Sequence, residues 1–356
     1  MSHHSVPKPP LRRPSRRVQR LVQQQGLTLI ELLVAMAIGL LITMAAVSAL
    51  TFTRKGHATV DASSQLEDNI RFATDLIQRI GVQAGYMSAS EAAKATPPDT
   101  VGIDSNPDPN VSGFNNAKIH PTNPEHTLNS RLVSTDVGFG SDVLILRYQA
   151  EAKFPGSEDI DNSMIDCAGQ SNFVVPQTRY ERITSILYVD LVEGEPTLMC
   201  KSSRDGFNTP HSLVSGVENF QVLYGTRGVT RNAPPPPPPP PPAVTDTAAD
   251  RYLRADEMVV AGDAAATNSN WRRVSSIRIG MVVRGPRNSQ QGDEEQLFYP
   301  FGKAINSNGE TGRAITNLDN DEGTEFKMPD HNQLHDRRLR QTATFTIHLR
   351  NNNQDR

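Results

Sequence analysis

Residues 26–53 read Gly26-Leu-Thr-Leu-Ile-Glu31-Leu-Leu-Val-Ala-Met-Ala-Ile-Gly39-Leu-Leu-Ile-Thr43-Met-Ala-Ala-Val-Ser48-Ala-Leu-Thr-Phe-Thr53. From Leu32 to Thr53 no residue is charged. At about 1.5 Å rise per residue this run spans about 33 Å, enough to cross a bilayer's hydrocarbon core. Leu, Ile, Ala and Met dominate it and are strong or adequate helix formers, so Gly39 interrupts little. Upstream lie Lys8, Arg12, Arg13, Arg16, Arg17 and Arg20, with no acid before Glu31. Such an excess of basic residues holds the leader in the cytoplasm and predicts export of everything after Arg54.

A secretory signal has a shorter apolar core followed by a small-residue cleavage site. Here the glycine precedes the core, so a cut at Gly26 leaves the apolar helix on the mature chain. This arrangement resembles the class III signal of type IV prepilins, with Gly26 at the cut and Leu27 as the new N-terminus where most members carry Phe. The resemblance implies cleavage by a prepilin peptidase, N-methylation of Leu27, and an assembly ion pair between Glu31 and the Leu27 amine of a neighbouring subunit. A charge kept near a membrane is costly and usually functional. The bland alternative is a plain anchor whose Glu31 reaches the headgroups at the helix end.

Removing the leader takes six positive charges from a net charge of −3 and leaves −9 for the mature chain. That acidity argues against a nucleic-acid-binding surface, which needs a basic patch. The two cysteines, Cys167 and Cys200, both fall on the exported side. In an oxidising compartment a disulfide between them would stabilise the fold by roughly 3–4 kcal/mol. The competing two-cysteine metal site lacks a CxxC partner or a nearby histidine.

Leu66, Ile70, Ala73, Ile77, Ile80 and Ala84 recur at spacings of four and three, which continues the helix as one apolar stripe. Glu67 with Arg71, and Asp75 with Arg79, are acid-before-base pairs on its exposed face. The helix is expected from Leu27 to Ala84, with Gly85 as its stop and Gly56 as a soft point. Residues 86–137, rich in Pro, Asn, Ser and Thr, read as surface loops. Strands are expected at 142–148, 184–192 and 217–224, then around Ile277–Val283 and Phe345–Leu349, where apolar residues alternate. Nine consecutive prolines, Pro234–Pro242, predict a polyproline II spacer of about 28 Å within an excursion read as loop.

The fold class that follows is α+β: a long N-terminal membrane-spanning helix packed on a mainly antiparallel β-sheet domain. The expected divisions are a leader at 1–26 that is removed, an assembly helix at 27–53, its amphipathic continuation at 54–86, and a β-rich domain at 87–356 with a proline-rich insertion at 231–250. Several segments resemble the PilW family of minor pilins: Leu213–Gly225, Trp271–Arg284, Arg340–Asn351, Leu66–Ala73 and both cysteines. The proline run and the long leader fall outside that pattern.

No GxSxG, HExxH or P-loop is present. His331 and His335 have a metal-compatible spacing, and Asn317, Asp319, Asp321 and Gly323 a faint calcium-loop pattern, but a solvated loop accounts for both. Neither an enzyme, a metal nor a cofactor is expected. The PilW resemblance implies a minor pilin that primes a type IV pilus near its tip, with the prepilin peptidase, the major pilin, other minor pilins and the inner-membrane assembly platform as partners. The expected location is the inner membrane, single-pass with a periplasmic C-terminal domain, and then the assembled pilus. The alternatives are a minor pseudopilin of type II secretion and a tip-displayed adhesin.

Overall fold

The computed structural model describes residues 28–88, 106–126, 138, 140–171, 173–178, 180–236, 248–290, 297–302, 304–305, 311–312, 326–327 and 337–351. Its contacts divide the chain into a unit ending at Arg54 and a unit beginning at Lys55. The first helix, α1, runs Leu29–Gln83. Gly56, read as a soft point, carries helical backbone inside it. Beyond the apolar run, α1 buries Ala62, Leu66, Ala73, Ile77 and Ile80; of the stripe read from the sequence, Ile70 is half-buried and Ala84, just past the helix end, is buried. Gly85 ends the helix in a left-handed conformation (φ 76°), and its N–H donates to the Arg147 carbonyl at 2.8 Å. A left-handed stop of this kind suits glycine because it has no Cβ to clash.

The remaining elements build two main sheets. The first is an antiparallel meander of β1 (Val111–Phe114), β2 (Val143–Tyr148), β3 (Ile183–Val192), β4 (Glu195–Ser202) and β5 (His211–Ser215). Every residue of β2 is buried, because Leu144 and Leu146 join the main core while Val143 and Ile145 join a smaller cluster with Ile186, Tyr188 and Met199. That two-sided burial explains why β2 reads as a continuous apolar run. The second sheet draws on β6 (Val217–Thr226), β7 (Arg251–Leu253), β8 (Val274–Arg284) and β13 (Arg340–His348) in the order β13-β8-β6-β7. Two-residue bridges β9 (Leu297–Phe298), β10 (Ala304–Ile305), β11 (Thr311–Gly312) and β12 (Phe326–Lys327) lie between β8 and β13 in the chain.

The two sheets are tied together at Asp142 and Gly216. Asp142 accepts the backbone N–H groups of Asn116 and Val222, both at 2.8 Å, so its buried carboxylate links the start of β2 to β6. Gly216 alone separates β5 from β6. The main core joins α1 to both sheets through Ile77, Ile80, Leu187, Leu198, Phe220, Val222, Ile279 and Met281, among others. Trp271 closes one end, edge-on to Tyr224 with ring centroids 4.7 Å apart.

Several elements depart from the expectations. The segment read as loop holds β1, and the excursion between β6 and β8 holds β7, a 3-10 turn at Ala255–Met258 and a helix, α2, at Ala264–Arg272. Asp263 caps α2 by accepting the N–H of Ala266 at 2.8 Å. Strands β4 and β5 also went unread. Pro196 sits in β4 and three of the five residues of β5 are polar, which hides both from an apolar-pattern reading. Pro234–Pro236 are described and Pro237–Pro242 lie outside the described residues.

Candidate assembly surface

Helix α1 opens at Thr28, whose carbonyl accepts the Leu32 N–H at 3.1 Å. The Thr28 hydroxyl oxygen accepts the Glu31 N–H at 3.3 Å. Glu31 Oε2 in turn accepts the Thr28 N–H at 2.9 Å and the Thr28 hydroxyl at 2.8 Å. This reciprocal pattern is a capping box, which satisfies N–H groups that the first turn otherwise leaves open. A carboxylate here also sits at the positive end of the helix dipole. The spacing is legible in the sequence as Thr28-Leu-Ile-Glu31, yet reading Glu31 only as a membrane-edge charge hid its second role as a cap. Gly26 and Leu27, the expected cleavage and methylation positions, lie outside the described residues.

From Leu32 to Thr53 the helix is exposed on every side and carries no charged residue. Leu29, Leu40 and Phe52 expose 78%, 70% and 75% of their surface. A helix of this kind suits a lipid phase or a protein core. The hydroxyls along it return to carbonyls of the same helix: Thr43 to Leu40 and Ser48 to Met44 at 2.8 Å, Thr51 to Ser48 and Thr53 to Ala49 at 2.9 Å. With those groups satisfied internally, hydrocarbon surroundings leave no polar atom of theirs without a partner. Among the described residues, α1 is the one helix long and apolar enough to cross a membrane.

The second unit carries the disulfide and a charged lattice. Cys167, in the segment between β2 and β3, is bonded to Cys200 of β4 with a Cα–Cα distance of 5.9 Å, and both are fully buried. Glu195, at the start of β4, is held by Arg284 (2.8 Å) and Arg338 (2.7 Å). Glu218 of β6 is held by Arg284 (2.9 Å) and Arg340 (2.6 Å). Burial works to raise the Glu195 carboxyl, but hydrogen bonds and charge from Arg338 and Arg284 outweigh it and hold the group below its ordinary value. Sequence pattern gave no sign of this lattice, because its members come from four strand ends and one loop.

Three further arginines hold the stretch from Asn106 to Ser112. Arg182 donates to the Asp108 carbonyl at 2.7 Å, Arg272 to the Pro107 carbonyl at 2.7 Å, and Arg147 to the Pro109 carbonyl at 2.8 Å. Burial, with Arg147 nearby, pushes the Arg182 guanidinium down to about 10. Among the described residues no group of three or more His, Cys, Asp or Glu side chains is placed to hold a metal. His331, His335, Asn317, Asp319, Asp321 and Gly323 lie outside them.

Two family descriptions match the chain. Residues 22–47 match the prokaryotic N-terminal methylation motif, and residues 186–351 match the family described as Type IV Pilus-assembly protein W. No curated protein matches the chain as a relative. Among solved structures, the chain is similar to a type IV-like pilin from Thermus thermophilus at 12% identity, over 80% of this chain and 97% of that one, with a TM-score of 0.35. The first match covers the capped start of α1 and much of its apolar run, and the second covers the strands from β3 to β13. Residues 186–351 are thus similar to the PilW family of type IV pilus-assembly proteins, and residues 22–47 carry the N-terminal methylation motif.

Proposed function

We propose that the protein is a minor pilin: inserted in the inner membrane, cleaved after Gly26 by a prepilin peptidase, methylated on Leu27 and built into a type IV pilus near its tip. The observation that carries this reading is α1 itself, apolar on every exposed side with a single carboxylate, Glu31, at its capped start. Such a helix gains by leaving lipid only if it enters a bundle of similar helices, where dispersion contacts replace lipid contacts. Glu31 then pairs with the Leu27 amine of a neighbouring subunit. The major pilin, other minor pilins and the inner-membrane assembly platform are the partners, with the second unit in the periplasm.

Crosslinking in cells, followed by identification of the captured subunits, tests the proposal. Recovery of a major pilin and other minor pilins is the expected outcome. Capture of type II secretion components alone would replace the pilus with a secretion pseudopilus.

A further inference from the structure

The apolar run of α1 stops at Thr53, and the next two residues are Arg54 and Lys55. They are the first charges after Glu31, and the next acid is Asp61. On a helix a counter-charge is within reach three or four positions away. At those offsets from Arg54 and Lys55 stand Leu50, Thr51, Phe52, His57, Ala58 and Thr59, none of them acidic. Neither basic side chain makes a hydrogen bond or ion pair among the described residues. Both are exposed, as are His57 and Ala58, and a Cβ at Gly56 would meet nothing within 4 Å. Further along α1 the pattern changes: Glu67 and Asp75 each stand four residues before an arginine. Two uncompensated cations thus sit on a bare stretch of helix, in a mature chain whose net charge is −9.

A helix that crosses a bilayer meets the lipid headgroups where its apolar run stops. The hydrocarbon core is about 30 Å thick and the whole bilayer about 40–45 Å, which leaves about 5–8 Å for each headgroup layer. At about 1.5 Å per residue, Arg54 to Ala58 rise through about 6–8 Å, the depth of that layer. Long basic side chains lay their stems on apolar surface and turn their charged ends toward the headgroups. The phosphate there suits both residues, since a guanidinium binds it with parallel N–H donors and an ammonium as a point charge. With no protein partner to give up, neither side chain breaks an ion pair when it does so. We propose that Arg54 and Lys55 bind the phosphates of anionic lipid headgroups and enrich such lipids around this end of α1. The inference rests on the membrane anchoring in the reading above. It is independent of the pilus and of the direction in which α1 crosses the bilayer.

The test puts the full chain, as isolated from membranes, into bilayers that carry a trace of photoreactive phosphatidylglycerol or of photoreactive phosphatidylcholine. Lipid adducts on residues 50–60 are counted by mass spectrometry, which keeps the basic residues of the leader out of the readout. Phosphatidylglycerol adducts are expected to exceed phosphatidylcholine adducts about fivefold, the size one basic side chain supports at an anionic surface. The excess should shrink as salt is raised. Arg54→Gln with Lys55→Gln should remove it, and Arg54→Lys with Lys55→Arg, which keeps both charges, should preserve it. Arg71→Gln, about 25 Å further along the helix, should leave it unchanged. All three positions are exposed, so these variants leave the core untouched. Equal adducts from the two lipids in wild type, or an excess that survives the double glutamine variant, overturns the inference. An excess lost to inorganic phosphate but not to chloride of the same ionic strength also overturns it, since the site would then be one for free phosphate. A chain that fails to float with neutral vesicles would remove the membrane reading itself, whereas equal adducts remove the lipid preference alone.

Discussion

A Cβ at Gly216 would lie 2.5 Å from the carbonyl oxygen of Arg284, on a residue whose φ is 88°. The two backbones are that close because the Arg284 N–H donates to the Gly216 carbonyl at 2.8 Å, while the Gly216 N–H donates to Pro196 at 2.7 Å. Gly216→Ala therefore meets both a backbone clash and a left-handed conformation that L side chains avoid. The expected loss is about 1–3 kcal/mol, read as a drop of several degrees in melting temperature. An unchanged melting curve would show that the β5–β6 junction can shift to accommodate a methyl group.

The Cys167–Cys200 bond should contribute about 2–5 kcal/mol. Cys167→Ser with Cys200→Ser, or a reducing buffer, should lower the unfolding midpoint accordingly. Alkylation of non-reduced material should find no free thiol; recovery of both thiols as alkylated adducts from periplasmic protein would contradict the bond.

Glu195 predicts a pH dependence with a definite sign. Its folded carboxyl is held below the ordinary value of 4.5. Its contribution is thus fully present above that value and is lost as pH falls through the lower, folded value. Glu195→Gln should be less stable than wild type at neutral pH, and the gap should close on acidification below about 4.5. Melting temperatures of the two proteins across that range provide the check, and a gap independent of pH would count against the assignment.

How much of this could be read from the chain varies with the element. The helix stripe was legible because Leu66, Ala73, Ile77 and Ile80 repeat at helical spacing and are all buried. Strands β2, β3, β6, β8 and β13 were legible from apolar runs or alternation. By contrast β1 is only Val-Ser-Gly-Phe, and β4 begins Glu-Pro, so neither offers a pattern that local reading can trust. The capped start of α2 had a signal in Asp263 before three alanines, masked by the proline run upstream. The lattice around Glu195 and Glu218 had none. Arg284 and Arg338 are 54 residues apart in sequence, and the pairing of β8 with β13, which sets Arg340 opposite Arg284, brings the two segments together.

Glu31→Ala should split two phenotypes. The segment becomes more apolar, so insertion and cleavage should be normal. Incorporation into fibres should fall about tenfold or more, because a charge at the neighbour's N-terminus loses its partner in low-dielectric surroundings. Fractionation of sheared fibres decides the matter: wild-type amounts of the variant there would reject the pairing role.

Deletion of Pro237–Pro242 should leave folding intact. Proline has no N–H to give a sheet, and the described contacts at this end of the run, Asn270 donating to the Ala233 carbonyl at 3.0 Å and Arg273 to the Pro236 carbonyl at 2.8 Å, use residues that the deletion keeps. A large fall in melting temperature would contradict this.

The bond between Cys167 and Cys200 also has a mechanical meaning. The two residues are 33 positions apart in sequence yet 5.9 Å apart at Cα. A chain pulled from its ends could otherwise release about 110 Å of contour length from that interval. With the bond in place, tension bypasses β3 and passes through the sulfur bridge straight into β4. The hairpin of β3 and β4 becomes an inextensible segment, which yields only when a covalent bond is broken or exchanged.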